Sequence, residues 1–533
     1  MAVAHRSGLA RWRTCIAIAT IACLIVALLS WQYSASVTPK PWQQYVPSQP
    51  GSPQSVSFDQ NLVPKIEAFC SDCHGTPIAE NYPRDAWHDK VWRAYQYYAR
   101  SGRNDLEPPP IHETVAYYRS LAPEQIVLPQ PPEAKTAPAV TFTPQHFSLG
   151  RKSEVPPGIG FLRWIDLKQD GNPVLVICDL QRGYLFSLDP NDPGADPRIL
   201  AQLDNPCHVA PCDLDNDGLL DLVVADLGSF QARDHDRGRV VWLRCLQPGS
   251  SYEEIVIASE LGRLANNQPV DIDGDGDLDL LVGVFGYSKT GEIALLRNIA
   301  VSGDRPQFEL EVLDPRPGTS HLLVQDLNDD DLPDFLALTS QEYELVSAFT
   351  QQADGKFHRR TLWAGPDPTY GLTGMVPVDM DQDGALDILF TNGDTFDDQY
   401  VKPSHGVQWL KNLGDQQYAY HRLTDLPGAH AARAGDFDLD GDLDLVAVSW
   451  LSDELYPVGA VTEQTASIVY LEQISPGLFE SHTLEAGLPR HATLEVADFD
   501  NDGDLDFAVG WYLTKKWRHI PHGTTVWWNQ NKP

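Results

Sequence analysis

Asp271-Ile272-Asp273-Gly274-Asp275-Gly276-Asp277-Leu278-Asp279 sets carboxylates at positions 1, 3, 5 and 9 of a nonapeptide and a glycine at position 6. A hard cation such as calcium takes about 6–8 oxygen ligands, and a short loop with this spacing supplies most of them while the glycine lets the chain turn. The carbonyl of Asp277 would add a backbone ligand. Without a counter-ion the four carboxylates repel one another, so a merely solvated acidic face accounts poorly for the pattern.

The pattern D-x-D/N-x-D-G/D-x-x-D occurs six times. The expected side-chain ligands are Asp213, Asp215, Asp217 and Asp221; Asp271, Asp273, Asp275 and Asp279; Asp326, Asn328, Asp330 and Asp334; Asp379, Asp381, Asp383 and Asp387; Asp436, Asp438, Asp440 and Asp444; and Asp498, Asp500, Asp502 and Asp506. The third copy is the weakest, since Asn328 replaces an acid and Asp331 stands where glycine is wanted; Asp tolerates the left-handed conformation better than most residues. A degenerate seventh copy starts at Asp166, where Lys168 and Val174 occupy two ligand positions; an ammonium cannot ligate a metal, so this loop is expected to hold none.

The copies start roughly 53 to 62 residues apart, the interval of a repeated supersecondary unit. Apolar runs such as Leu219–Ala225, Leu278–Val284, Leu386–Phe390, Leu443–Ser449 and Leu505–Gly510 follow the loops and read as buried strands. Two further runs per unit give four strands, the content of one propeller blade. Counting the unit at Asp166 there are seven, the last short of one strand, and an orphan run at Thr141–Leu149 precedes the first. That run is expected to complete the last blade and close the ring. The expected fold is mainly β, a seven-bladed β-propeller with calcium-binding loops.

Residues 139–533 resemble the calcium-loop propellers of the FG-GAP and VCBS repeat families, related to the integrin alpha-subunit head. The resemblance rests on the six loops and the apolar strand after each. It implies about six bound Ca2+ ions and an interaction surface on one face for a protein or glycan ligand, and names no particular ligand. The formal net charge of −35, from 74 acidic against 39 basic residues in 533, argues against nucleic-acid binding.

Arg6, Arg11 and Arg13 precede an apolar stretch over 14–31, a positive region followed by an export segment. Ser34, Ala35 and Ser36 offer a signal-peptide cleavage site within residues 1–36; the long apolar core flanked by Trp31 and Tyr33 favours an uncleaved membrane anchor with the rest of the chain outside. Residues 37–53 read as a tether. The expected location is the bacterial cytoplasmic membrane, with the domains facing the periplasm.

Phe69-Cys70-Ser71-Asp72-Cys73-His74 contains C-x-x-C-H, the attachment signature of c-type haem. Cys70 and Cys73 would form thioethers and His74 would be the proximal iron ligand. A zinc site would want further ligands, yet no other cysteine occurs between 31 and 177, and a structural disulfide leaves His74 unexplained. Residues 54–128 resemble a small all-α, class I-like cytochrome c domain, with helical runs expected at Asn61–Phe69, Pro83–Ser101 and Ile111–Leu121. The distal methionine usual in that family is missing, since the methionines are Met1, Met375 and Met380, and Leu106 stands in the corresponding slot. His88 or His112 could then supply a sixth ligand, or the iron is five-coordinate; for His88 the plainer reading is an exposed helical histidine. Residues 129–138, rich in proline, read as a stiff linker separating haem from ring.

Cys178, Cys207, Cys212 and Cys245 could form disulfides, with Cys207–Cys212 and Cys178–Cys245 among three possible pairings, or remain buried thiols. His208, His321, His430 and His491 fall five to seven residues before loops, where they could converge on one mouth of the central channel to meet a metal, an anion or a substrate. Asn266 and Asn267 in the matching part of another blade favour a simple polar lining. Three functions compete: electron transfer by the haem domain with partner or polymer binding by the propeller; calcium-dependent adhesion or ligand binding without a redox role; and an oxidoreductase or polysaccharide-processing enzyme using haem as electron exit. No Ser-His-Asp, nucleotide or HExxH signature supports the third.

Overall fold

The computed structural model describes residues 57–531 apart from positions 73, 151–154, 193, 195, 288, 301–304, 342, 397, 415–416, 457, 518–519 and 521–522. The export segment, the tether at 37–53 and Cys73 therefore lie outside the described residues. Among the described residues no helix is long and apolar enough to cross a membrane.

Seven four-stranded antiparallel sheets make the ring. Six are built from consecutive strands, over residues 159–202, 206–261, 264–314, 319–364, 372–425 and 429–486. The seventh takes three strands from residues 491–529 and its outermost strand, Phe142–Phe147, from ahead of the first sheet. That strand pairs antiparallel with Thr524–Asn529, from Phe142 opposite Asn529 to Phe147 opposite Thr524. The orphan run thus closes the ring.

The second strand of a sheet lies between neighbours on both sides and under sheets on both faces, so it wants a continuous apolar run. Asp221–Asp226, Asp279–Val284, Asp387–Asn392, Asp444–Ser449 and Asp506–Trp511 are buried at every residue. Outermost strands such as Phe308–Asp314 are mostly exposed. Between second and third sheets the core is Val223, Ala225, Val240 and Trp242 against Leu280, Val282, Ala294 and Leu296. Where the ring closes, Ile159, Leu162 and Leu175 of the first sheet pack on Phe147, Ala508 and Val526 of the seventh.

Each innermost strand carries a one-residue register shift near its start. The acidic loops join innermost to second strands, so all lie on one face of the ring. The connections from second to third strands lie on the other.

A second compact unit comprises the chain up to Phe69 and Arg84–Leu121. Its helices are α1 (Val63–Cys70), α2 (Trp87–Arg100) and α3 (Ile111–Leu121). On α2 the expected stripe of Trp87, Val91, Tyr95 and Tyr98 is buried. Trp87 stacks on Tyr118 of α3 with ring centroids 4.1 Å apart. The Tyr117 hydroxyl donates to Glu67 of α1 at 2.8 Å, tying the last helix to the first.

Residues Cys70–Pro83 group with the propeller unit. The end of the proline-rich linker is bonded to the ring: the backbone N–H groups of Lys135 and Thr136 donate to Glu480, the Thr136 hydroxyl donates to its other oxygen at 2.7 Å, and the Ala139 N–H donates to Glu472 at 3.0 Å.

Candidate functional site

The first aspartate of each loop is a loop-former before it is anything else. Asp213 accepts from the N–H groups of Asp217 and Gly218, Asp379 from Asp383 and Gly384, and Asp498 from Asp502 and Gly503. The degenerate loop does the same, with Asp166 accepting from Asp170 and Gly171. Two positions are left-handed, not one. Position 6 has φ of 96° at Gly276 and 63° at Asp331, and position 4 has φ of 54° at Asn216, 59° at Asp329 and 64° at Leu439. The sequence pattern exposes the first through its glycines; the second is visible only as a scatter of Asn, Asp, Gln, Gly and Leu.

The ninth aspartate closes the loop onto the sheet. Asp279 accepts from Ile272 N–H at 3.2 Å and from Asn298 N–H at 2.6 Å; Asp387 accepts from Met380 and Asn412, and Asp506 from Phe499 and Asn529, in the same way. A residue at or near the end of the third strand is therefore part of the loop's support. It is Cys245 for the first acidic loop and Asn or Gln for the others: Asn529 donates to Phe437 O and Gln351 to Ile272 O, each reaching the preceding sheet. Recurring Arg-Asn, Lys-Asn and Trp-Asn pairs at strand ends were the signal for this clamp.

In five loops three carboxylates bring oxygens within 4.8 Å of one another: Asp213, Asp215 and Asp221; Asp271, Asp273 and Asp275; Asp379, Asp381 and Asp387; Asp436, Asp438 and Asp440; Asp498, Asp500 and Asp506. The third loop, with Asn328, is not among them. Shielded carboxylate oxygens of Asp215, Asp277, Asp381, Asp436, Asp442 and Asp504 have no hydrogen-bond partner. Acceptor-only atoms in this state fit a divalent cation. Burial, and then the neighbouring acids, push the carboxyl of Asp504 up to about 6. Burial pushes Asp444 and Asp506 up to about 7 and Asp279 to about 6, against hydrogen bonds that pull the other way.

The loops are not alike in charge. Just before the clamp residue, Arg244 donates to Asp215 at 2.5 Å and to Asp217 at 2.7 Å, Arg297 donates to Asp273 at 2.7 Å, and Lys411 pairs with Asp381. The matching positions of the third, fifth and sixth loops hold Thr350, Glu472 and Trp528.

The C-x-x-C-H motif starts at the end of α1. Phe69, which precedes Cys70, packs on Tyr95 and Tyr98 with centroids 5.0 and 5.2 Å away, an aromatic cluster. His74 is half-buried, its Nδ1 2.7 Å from Gly75 O. The peptide after it is fastened to the propeller: Ile78 N–H and the Asn81 amide donate to Asp367, the Tyr82 hydroxyl donates to Asp398 at 2.5 Å, and Lys402 Nζ lies 5.5 Å from the Tyr82 ring. His88 is half-buried, and burial followed by Arg119 holds it below the usual imidazole range. The His112 side chain is 70% exposed beside Glu113. Leu106 is fixed through its backbone, its carbonyl accepting from and its N–H donating to the Tyr98 hydroxyl.

The four channel histidines fall in three registers. His208 and His321 follow the register shift of their strands, His430 sits in the shift and His491 precedes it. The first three influence one another, since His321 depresses His208 and His430 depresses His321. His491 turns away, fully buried, with Nε2 2.7 Å from Glu485 on the outer strand of the sixth sheet. Asn266 is buried and accepts from Gln268. Cys178, Cys207, Cys212 and Cys245 are free thiols, not the disulfides weighed above; the Cys207 thiol lies against Ala225 O and Leu264 O.

Strand order and loops together define a seven-bladed propeller with an acidic nonapeptide loop on one face of each of six sheets. Residues 326–390 match the family model described as FG-GAP-like repeat, the interval from the third loop to the strand after the fourth. No curated protein matches the chain. Among solved structures the chain is similar to BBS1N in complex with ARL6DN soaked with lead, at 13% identity over 71% of this chain and 96% of that one, TM-score 0.42. The same complex soaked with mercury gives 12%, 73%, 96% and 0.41. Rhamnogalacturonan lyase YesW gives 13%, 67%, 74% and 0.36. At these scores the likenesses carry no argument, and the fold rests on the strand pairing.

Proposed function

We propose that this protein is an exported, membrane-tethered c-type haem protein whose calcium-loaded propeller binds a protein or polymer ligand while the haem exchanges electrons with a redox partner. The observation that carries the reading is C-x-x-C-H at the end of α1, preceded by Phe69 of an aromatic cluster and ahead of a peptide fastened to the propeller. Cys70 and Cys73 would hold the group covalently and His74 would ligate its iron; when bound, it supplies one-electron chemistry. The bonds of Asp367 and Asp398 keep the peptide after His74 on the ring. His88 or His112 would set whether a sixth ligand is present.

Five loops with converging carboxylates and unpartnered oxygens support calcium as the structural ion. The FG-GAP-like repeat supports ligand binding by the ring. Export and anchoring rest on the apolar 14–31 segment and the basic residues before it.

The test is the visible spectrum of the exported chain, made in a host with cytochrome c maturation, oxidised and dithionite-reduced, with a pyridine haemochrome assay. A covalent c-type signal is expected, lost in C70A and C73A, with a band shape that reports the sixth ligand. Absence of covalent haem from the wild-type chain would leave a calcium-dependent binding propeller without a redox role.

The uneven charge of the loops gives a second expected result. Arg244 and Arg297 already neutralise the carboxylates a divalent ion would use, so a bound ion faces a cation a few ångströms away. R244Q and R297Q are expected to tighten the calcium affinity of their own loops by about tenfold at low ionic strength, with the gain shrinking in salt. Terbium luminescence titrations of the two variants would check this; unchanged affinity would show the guanidiniums to be mere bystanders.

A further inference from the structure

In a chain of net charge −35 the centre of the ring carries the opposite sign. Arg163 of the first sheet and Arg433 of the sixth stand two residues past the register shift position of their innermost strands. Around the ring the same register holds Ala210, Gln268, Leu323, Val376 and Glu495. One turn of the pleat earlier come His208 and His321. These groups act on one another across sheets that are not neighbours. His208 of the second sheet is depressed by His321 of the fourth, His321 by Arg433 and His430 of the sixth, and Arg433 by Arg163 of the first. Only the central space brings such pairs together.

The positive charge there is only partly balanced. Among the described residues neither Arg163 nor Arg433 forms an ion pair, and Arg433 donates only to Ala432 O, at 2.9 Å. Glu495, which accepts from the backbone N–H of Trp164 at 3.1 Å, is the carboxylate that acts on both guanidiniums, while Asp394 acts on His430. Two half-buried guanidiniums sharing one carboxylate leave a positive charge that an ion of opposite sign would balance. His208 is 8% exposed and its Nδ1 has no partner. Burial and then Arg163 hold this imidazole down to about 3, so it is neutral and one ring nitrogen is an N–H donor. Imidazoles alone would suit a transition metal. Two guanidiniums beside them repel any cation and match the planar or tetrahedral array of an oxyanion.

We propose that the central space between Arg163, Arg433, His208 and His321 binds a small oxyanion, a carboxylate or a tetrahedral dianion, gripped by the guanidiniums and oriented by imidazole N–H groups. The site needs neither calcium nor haem. It gives the ring a ligand chemistry of its own, acidic groups, separate from the acidic loops on the ring's face.

Calorimetric titration of the full exported chain with sodium sulfate and with sodium acetate, against chloride at matched ionic strength, tests this; the two salts separate tetrahedral from carboxylate recognition. Saturable binding of at least one is expected, weakened at least tenfold in R163Q and in R433Q, lost in the double variant, and largely kept in R433K. Failure of both salts to saturate, or binding that survives in the double variant, would overturn the proposal. So would nickel uptake that disappears in H208A/H321A while neither anion binds, which would give the space to a metal.

Discussion

Chelation at pH 7.5 is expected to lower the unfolding midpoint of the ring by on the order of 10–20 °C. Each ion at a hundred times its dissociation constant contributes about 2.7 kcal/mol, and five filled loops sum to more than ~10 kcal/mol, in a domain large enough that each kcal/mol shifts the midpoint by only ~1–2 °C. The effect should depend on pH with a defined sign. Without metal the carboxyls of Asp444 and Asp506 lie at about 7 and those of Asp279 and Asp504 at about 6, above the usual value of about 4. The folded chain then holds more protons than the unfolded chain between about pH 4 and 7, so the metal-free ring loses stability as pH rises through that window. Calcium replaces those protons, and the gap between loaded and chelated protein should widen from pH 5 to pH 7.5. Thermal scans at pH 5, 6 and 7.5 with calcium or chelator measure it. A gap that is absent, or that stays constant with pH, would remove calcium from the account.

Deletion of residues 139–149 should be the most damaging small change to the propeller. The segment buries Val140, Phe147 and Leu149 at 1%, 7% and 3% exposure, worth about 5–9 kcal/mol at 1.5–3 kcal/mol per buried side chain. It also completes the hydrogen-bond ladder of Thr524–Asn529. Without it that strand becomes an open edge beside Trp527 and Trp528, a template for pairing with another chain. Denaturant titration should show a loss of at least about 5 kcal/mol, and size-exclusion chromatography should show association. A monomer with the wild-type midpoint would mean that the ring is closed by some other contact.

The fold was legible because two independent periods agree: carboxylates every second residue within each loop, and loops repeated once per blade. Even the ring closure could be read, since the Thr141–Leu149 run stood alone and the last unit lacked a strand. What stayed hidden depends on register and on contacts distant in sequence. His491 falls seven residues before its loop against five for His208, and only the pairing shows that these two positions put it ahead of the bulge and into the packing between sheets rather than toward the centre. Arg163 and Arg433 are unremarkable in a linear reading, because only the ring brings the innermost strands of the first and sixth sheets to one central space. The clamp residues Asn298, Asn412 and Asn529 lie some twenty residues beyond the aspartates they support, and nothing local ties the two. The attachment of Ile78–Tyr82 to Asp367 and Asp398 spans about three hundred residues, out of reach of any motif.

That attachment has a mechanical consequence. Were the N-terminus held in a membrane and the ring pulled by a bound ligand, tension would run along the chain toward the closing strand, which completes the seventh sheet. Before reaching it, the load meets two fastenings in series: Ile78, Asn81 and Tyr82 on Asp367 and Asp398, then Lys135, Thr136 and Ala139 on Glu480 and Glu472. They act as a cable clamp does ahead of a soldered joint, so that a sustained pull is borne by carboxylate bonds ahead of the seam and the seam at Phe142–Phe147 stays slack.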